Sequence, residues 1–332
     1  MEIKNSYLDL IKVFSIILIS AYVISQAGYE LNASHKLTYV LTRLFSNLGF
    51  PLLLMVFGAI VLKTKEHSFA VVKKCYRYLI PPFVLLNIVL GLLILYFDGT
   101  HSFATNMTAS NWFIWIVLSC VLVIPILIEF LRLEKENGIR YILGLFILTS
   151  ILWSLSVQFD FSMYYIDLVF FAEPLMFMVL GYYLDNKDFN LSKKKLIIIS
   201  LVIFTAALSI RTLLITNSVN EWNSFFMLLF KNTTLQISID PFTIVEVSAL
   251  FILFKSADVF SDSSLVNFYS KISYLFLLIL PIFSIIVINL PLDVSWIHLT
   301  VIGTIAMLII SGIMLYVFNI CKNLFTNREV NS

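Results

Sequence analysis

The chain has 332 residues, of which 60% are hydrophobic and only 13% are charged. A soluble domain carries about a quarter charged residues, so these side chains could not cover a water-facing surface, and a soluble fold is excluded. The net charge of +2 is too small to indicate a nucleic-acid partner. The three cysteines, Cys75, Cys120 and Cys321, are odd in number and have no metal-ligand spacing, so neither a disulfide framework nor a metal site is predicted.

Ten apolar segments follow one another along the chain, each close to the length of about 20 residues that crosses a bilayer as a helix. They lie at residues 8–28, 44–62, 79–97, 112–131, 140–158, 162–184, 196–216, 241–260, 273–290 and 296–320. We therefore predict a single all-α integral membrane domain over residues 1–332, a bundle of about ten transmembrane helices with a short tail at about 321–332. A further apolar segment, 222–230, is too short to span and fits an interfacial or re-entrant piece.

The placement of lysine and arginine predicts the orientation of these spans. With the N-terminus inside, most of the 22 basic residues fall in cytoplasmic segments, and the external loops hold only Lys36, Arg43 and Lys231. Cytoplasmic loops of membrane proteins carry this excess of positive charge. The pattern therefore predicts an even number of spans, with both termini and the tail in the cytoplasm.

Six ionisable residues fall inside the predicted spans, where such groups are costly and usually face a bundle interior or a water-filled cavity. They are Asp9 and Lys12 in the first span, Asp167 and Glu173 in the sixth, Arg211 in the seventh and Glu246 in the eighth. Asp9 and Lys12 are neighbours on one helical face near the predicted cytoplasmic end. Two interpretations remain open: ion pairs that join helices, with Arg211 meeting Glu173 or Glu246, or a polar cavity that binds a substrate.

A polar stripe marks the first span. At about 100° per residue, Lys12, Ser15, Tyr22 and Gln26 fall within about 80° of one another. Such a stripe on an apolar helix favours either a face that lines a cavity or a seam of hydrogen bonds between helices.

Several stretches of the chain carry a family resemblance. They are YLDLIKVFSIILI at the start, FPLLLMVFGAIVLKTKEHSFAVVKKCYRYLIPPFV around the second span, NWFIWIVLSCVLVIPIL in the fourth, FMVLGYYL at the end of the sixth and FYSKISYLFLLILPIF near the C-terminus. In this order and spacing they resemble the acyltransferase-three family of bacterial membrane acyltransferases. The resemblance implies a ten-helix enzyme of the bacterial plasma membrane that passes acetyl or related groups from a cytoplasmic donor to sugars of the cell envelope.

The resemblance also implies roles for particular residues. The donor would be acetyl coenzyme A or a similar acyl thioester, with its phosphates attracted by Lys12, Lys73, Lys74 and Arg77. The acceptor would be an envelope glycan or a lipid-linked molecule. The catalytic candidates are the buried and nearby polar residues Asp9, Lys12, Tyr22, Asp167, Glu173, Arg211 and Glu246.

The chain departs from the family pattern where the family usually has an arginine and several histidines. Lys12 stands at the arginine position, and Val23, about Leu280 and Asn111 stand where histidines are usual. Acyl transfer to a hydroxyl needs a group that takes its proton, and neither Val23 nor Leu280 can do so. A carboxylate could replace the imidazole. Alternatively, the chain is a catalytically inactive relative that serves in binding, immunity or assembly, or a transporter or flippase.

Overall fold

In the computed structural model, the described residues are 6–31, 42, 44–64, 68–98, 103–158, 168–219, 241–257, 264–289 and 296–329. All the regular structure in these residues is helical. The helices are α1 (Ser6–Leu31), α2 (Gly49–Val61), α3 (Ser68–Asp98), α4 (Phe103–Gln158), α5 (Leu168–Asn186), α6 (Lys193–Val219), α7 (Pro241–Ala257), α8 (Ser264–Asn289) and α9 (Trp296–Glu329). Each of the ten predicted spans overlaps one of them.

The long helix α4 accounts for two of the predicted spans, 112–131 and 140–158. It is broken at Lys135, which has φ 49° and ψ −128° and separates two helical segments. The segment around the break is exposed and charged, with ion pairs from Arg132 to Glu129 at 3.0 Å and from Arg140 to Glu136 at 2.8 Å. A polar break therefore divides two apolar helical segments, as the sequence predicts.

Five stretches of the described residues are long and apolar enough to cross a membrane as helices. They are Tyr7–Ser25, Leu44–Val61, Phe69–Tyr96, Ile116–Ile151 and Lys193–Leu213. Large aliphatic side chains on the outer faces of α3, α6 and α9 are exposed, for example Leu85 (64%), Ile198 (62%) and Ile302 (60%). Exposed apolar surface of this extent suits contact with lipid rather than water. These features support a multi-pass helical membrane protein, whereas the direction of each span remains a prediction.

Helix α1 lies at the centre of the packing, in contact with α2, α7, α8 and α9. Around it, α2 packs on α5, α6 packs on α7 and α3 packs on α4. The core between them includes Ile11, Leu52, Phe177, Phe251 and Leu280, all fully buried. The helix that carries the predicted candidates Asp9, Lys12 and Tyr22 therefore contacts four other helices.

Two glycines allow α2 and α5 to cross with their backbones almost in contact. A Cβ on Gly58 would lie 2.0 Å from the backbone oxygen of Met178, and a Cβ on Gly181 would lie 2.1 Å from the backbone oxygen of Met55. Small residues at membrane helix interfaces permit this close approach. The crossing holds α5, and with it the C-terminal end of that helix, against the core.

At the C-terminus, α9 continues to Glu329, so helix runs on beyond the predicted end of the last span at residue 320. The predicted tail at about 321–332 is thus mostly helical in the described residues. The apolar segment 222–230 lies outside the described residues.

Candidate functional site

The first polar centre joins α1 to α8. Lys12 Nζ lies 3.1 Å from Asp9 Oδ1 and 3.2 Å from Ser270 Oγ, and the Ser270 hydroxyl donates a hydrogen bond to the same carboxylate. The side chains of Asp9 and Lys12 are about a fifth exposed, at 20% and 21%. The structure therefore pairs Asp9 with Lys12 within α1, and Ser270 of α8 is the third member of the centre.

A second contact brings α3 to the same part of α8. The Tyr274 hydroxyl donates to the backbone oxygen of Leu79 at 2.6 Å. Tyr274 lies one helical turn beyond Ser270, about 6 Å along α8. Arg77 precedes Leu79 by two residues and is exposed. Leu79, about three turns into α3, and the polar centre on α1 are thus bound to adjacent turns of one helix.

Lys73 and Lys74, the other predicted donor-binding residues, are also exposed on α3. With Arg77 they form a basic surface on the first turns of that helix. Lys73 and Arg77 are four residues apart and share a face. The surface is open to an anionic group from the side of the bundle that the predicted topology places in the cytoplasm.

At Ser15 the polar stripe of α1 packs closely against α2, while its hydrogen bond stays within α1. The Ser15 hydroxyl donates to the backbone oxygen of Ile11 at 2.7 Å and is fully buried. A Cβ on Gly49 would lie 2.7 Å from the Ser15 backbone oxygen, so α2 packs directly on this position. Tyr22 is buried farther along α1, and the side chain of Gln26 lies outside the described residues.

A buried ion pair joins α6 to α7. Arg211 Nη1 lies 2.9 Å from Glu246 Oε2, and both side chains are fully buried. Glu246 is one of the two partners that the sequence offered for Arg211, and the side chain of the other, Glu173, lies outside the described residues. Arg211 lies about 27 Å along α6 from Lys193, which corresponds to the outer half of a bilayer core about 30 Å thick in the predicted topology.

Two other candidates have no described side chain. Asp167 is outside the described residues, and Glu173 belongs to α5 without a described side chain. At two of the positions where the family usually has histidine, Leu280 is fully buried and Val23 is partly buried against the core. These positions serve packing, so neither can supply a base or a hydrogen bond.

A third polar cluster, around Asp185 at the end of α5, was not predicted from the sequence. Its carboxylate accepts a hydrogen bond from the Tyr7 hydroxyl of α1 and forms an ion pair with Lys63, just beyond α2. The Asp185 side chain is only 3% exposed. Asp185 follows the predicted span 162–184, and burial raises the pKa of its carboxyl to about 6, while Lys255 acts in the opposite direction.

Lys255 of α7 is the fourth member of this cluster. Its ammonium donates to the backbone oxygens of Leu184 at 2.9 Å, Asp185 at 2.8 Å and Lys187 at 2.9 Å. The last carbonyls of a helix have no intrahelical partner, and a lysine has three donors to offer them. Lys255 therefore caps α5 and fixes the backbone that carries Asp185.

These contacts explain why the Asp185 cluster escaped prediction. The charge count marked Lys63 and Lys255 as cytoplasmic, but Asp185 and Tyr7 lie at span ends where polar residues are ordinary. The contacts bring together the first turn of α1 and the last turns of α2, α5 and α7. These are helix ends that the predicted topology places on the same side of the membrane. The sequence therefore indicated that these residues lie on the same side of the membrane, but not which of them are in contact.

The comparison with protein families decides the identity of the scaffold. The model of an acyltransferase domain matches residues 5–316. The chain belongs to the acyltransferase-3 family. The match includes the polar centre on α1 and α8, the basic surface of α3, the Arg211–Glu246 pair and the Asp185 cluster. The search of curated proteins found no match, and neither did the search of solved structures.

Family membership supports a membrane protein of the acyltransferase type. Within the described residues, no group of three or more His, Cys, Asp or Glu side chains could hold a metal ion. The functional groups of the three polar clusters and the basic surface of α3 are carboxylates, amines, guanidinium groups and hydroxyls, which suit proton transfer and the binding of anions.

Proposed function

We propose that this acyltransferase-3 protein transfers an acyl group, such as acetyl, from a cytoplasmic acyl thioester to a hydroxyl of a cell-envelope acceptor in the plasma membrane of a bacterium. The observation that carries the proposal is the polar centre on α1 and α8. In a family defined by acyl transfer, it holds a partly exposed ammonium against α8, and the same part of α8 also binds α3, the helix that bears Arg77.

The donor is proposed to be acetyl coenzyme A or a similar thioester, whose phosphates require cations. Lys12 offers one that Asp9 and Ser270 hold in a defined place. Arg77 and Lys73 are exposed on α3, a helix that α8 also binds. A guanidinium binds two phosphate oxygens in its plane, whereas an ammonium acts as a point charge. We therefore propose that Arg77 binds two oxygens of a donor phosphate and that Lys12 contributes a single positive charge to phosphate binding.

Asp9 has a separate part in this proposal. Without the donor, the opposite charges of Asp9 and Lys12 nearly cancel. With the donor bound, Asp9 and the phosphate would both contact Lys12. A phosphate that approaches Lys12 competes with a carboxylate already in place, and the Ser270 hydroxyl can turn from Asp9 to the incoming oxygen. The pair thereby holds Lys12 in position without the donor and yields it when the donor binds.

The reaction itself exchanges one acyl bond for another. The acceptor oxygen attacks the thioester carbonyl carbon, the carbon–sulfur bond breaks, and the hydroxyl proton passes to a base and then to the thiolate of the departing coenzyme A. We propose a carboxylate as the base, with Glu173, Asp167 and Glu246 as the candidates. Arg211 and Tyr22 are proposed to line the path of the acceptor.

A second candidate function, a catalytically inactive relative, is favoured by the packing at the histidine positions. Leu280 is fully buried among apolar residues, so this position carries no chemistry. An inactive relative would keep the helical scaffold and bind an envelope molecule or a protein partner without transferring an acyl group. Loss of a general base costs about 10²–10⁴ in rate, so measurable transfer separates the two functions.

The test is acyl-group analysis of envelope glycans by mass spectrometry in cells with and without the gene, followed by transfer from labelled acetyl coenzyme A by the purified protein. Complementation compares the wild type with Lys12→Met and Arg77→Met. Lys194→Met is the matched control, because Lys194 is an exposed lysine in the first turn of α6.

An acyl mark that depends on the gene, returns with Lys194→Met and fails to return with Lys12→Met would support the proposal. No gene-dependent acyl mark and no transfer by purified, folded protein would favour the inactive relative.

A further inference from the structure

We propose that Asp185 is a positioning residue for the acyl-donor site: through Tyr7 it holds the first turns of α1, which present Asp9 and Lys12 to α8. The inference rests on the proposed function, because it takes the polar centre on α1 and α8 as the donor site. Asp185 itself touches neither Asp9 nor Lys12 in the described contacts, so it acts on them through the backbone of α1.

The geometry of α1 separates the two contacts cleanly. Tyr7 and Asp9 are two residues apart, which places their side chains about 160° apart around the helix. Asp9 faces Ser270 of α8, while Tyr7 reaches Asp185 of α5. The Tyr7 ring also packs edge-on against Phe251 of α7, with ring centroids 6.2 Å apart. The first turns of α1 are thus held from opposite sides.

The Asp185 side of this arrangement is the more rigid one. Its carboxylate is buried and bound by Lys63, and its own backbone oxygen is bound by Lys255. By contrast, the Asp9 and Lys12 side chains are partly exposed and bind one another and Ser270. The fixed reference for the first turns of α1 is therefore the α2–α5 pair, which the glycine crossing packs together, with Lys255 of α7 bound to the end of α5.

A helix terminus needs such a reference because its first four amides have no intrahelical acceptor. Helix α1 begins at Ser6, so Tyr7 and Asp9 both lie in this weakly bonded region. If Tyr7 lost its partner, the turn would fray and Asp9 would move away from Lys12 and Ser270. A displacement of about 1 Å at a binding group can lower a rate by about 10²-fold.

The experiment has two independent measurements on the purified full-length protein in lipid nanodiscs. Hydrogen exchange read by mass spectrometry reports the first turns of α1 over residues 6–12. Titration with coenzyme A reports the donor site. The principal variant is Tyr7→Phe, which removes the hydroxyl and keeps the ring on Phe251. Tyr141→Phe is the control, because Tyr141 is an exposed tyrosine in α4.

We expect Tyr7→Phe to speed exchange over residues 6–12 by about 10- to 100-fold, the factor for a lost hydrogen bond to a charged acceptor. We expect it to weaken coenzyme A binding by about tenfold, with exchange in α5 and α7 unchanged. Asp185→Asn keeps an oxygen that can accept from Tyr7, so it should preserve most of the affinity, whereas Asp185→Leu should reproduce the effect of Tyr7→Phe.

The outcomes separate this inference from the proposed function. Unchanged exchange over residues 6–12 in Tyr7→Phe overturns the inference. Faster exchange with unchanged coenzyme A affinity also overturns it, because the contact would then be structural only. If the wild type does not bind coenzyme A, both the proposed donor and the positioning role are wrong. Faster exchange in Tyr7→Phe would then still show that the Tyr7–Asp185 contact holds the first turns of α1.

Discussion

Replacement of Gly58 by alanine is expected to disrupt the crossing of α2 and α5. The added Cβ would lie 2.0 Å from the backbone oxygen of Met178 and 2.5 Å from its Cα. Ordinary contacts of a Cβ begin at 3.4 Å, so the two helices would have to separate by about 1.4 Å at this point. The obstacle is helix backbone, which cannot rotate away as a side chain can.

The cost follows from the contacts that such a separation would loosen. A gap of about 0.5–1 Å already removes about a quarter to a half of the dispersion energy of a contact. Met55 and Met178 lie at the crossing and are fully buried, so their contacts would be lost directly. Overpacking costs about 1–3 kcal/mol where side chains can yield. Against backbone we expect a loss of about 3 kcal/mol or more in the free energy of unfolding.

The measurement is the unfolding midpoint in a mild detergent, followed by intrinsic fluorescence. At an unfolding entropy of about 2.1 cal/mol/K per residue, 1 kcal/mol shifts the midpoint of a 332-residue chain by about 1.4 °C. A decrease of about 4 °C or more is therefore expected for Gly58→Ala. Gly144→Ala is the matched control, because nothing lies within 4 Å of a Cβ built there. It should leave the midpoint unchanged or raise it slightly, since alanine favours helix over glycine.

A second substitution at the same crossing sharpens the test. Gly181→Ala should be as damaging as Gly58→Ala, because its Cβ would meet the backbone of Met55 at 2.1 Å. The double variant should cost less than the sum of the two, since the first separation makes room for the second Cβ. Equal midpoints for Gly58→Ala and Gly144→Ala would refute the close crossing.

Three further predictions concern the buried polar groups. Lys255→Met should lower the unfolding midpoint because it removes three hydrogen bonds from the end of α5, and an unchanged midpoint would count against the cap. Arg211→Met and Glu246→Leu should each cost about 3–5 kcal/mol, while the double variant should recover much of that loss; a double variant as unstable as either single one would contradict this account of the pair. Burial raises the pKa of Asp185 to about 6 from 3.8, so stability from the protonated carboxyl is fully present below about pH 3.8 and is lost as the pH rises through about 6. Wild-type protein should therefore lose stability relative to Asp185→Asn between about pH 4 and pH 7, and parallel pH profiles of the midpoint would argue against a buried carboxylate.

The sequence located the buried charges better than it assigned their partners. Asp9 and Lys12 were predictable as a pair because three residues along a helix bring two side chains together. Arg211 was predictable as buried, but its contact with Glu246 depends on how α6 packs against α7. Ser270 lies 258 residues from Lys12 along the chain, and no local pattern indicates their contact.

The polar stripe on α1 shows the same division. Helical periodicity placed Lys12, Ser15, Tyr22 and Gln26 on one face, and it could not say what that face meets. In the structure, Gly49 of α2 packs against Ser15 and Ser270 of α8 binds Lys12, so residues of one stripe contact two different helices. A cavity and a seam have the same sequence pattern because both need a polar face on an apolar helix.

By itself, the sequence determined that the chain is helical, membrane-embedded and similar to the acyltransferase-3 family. Those properties follow from composition, from the lengths of apolar segments and from motifs, all of which can be read from residues that are close together in the sequence. Only the tertiary structure decided that Asp185 binds Tyr7 and Lys63, and that Gly58 and Gly181 bring two backbones together. Such contacts depend on the relative rotation and depth of separate helices. In a bilayer these are set by the packing of many small and apolar side chains at once, which no single segment specifies.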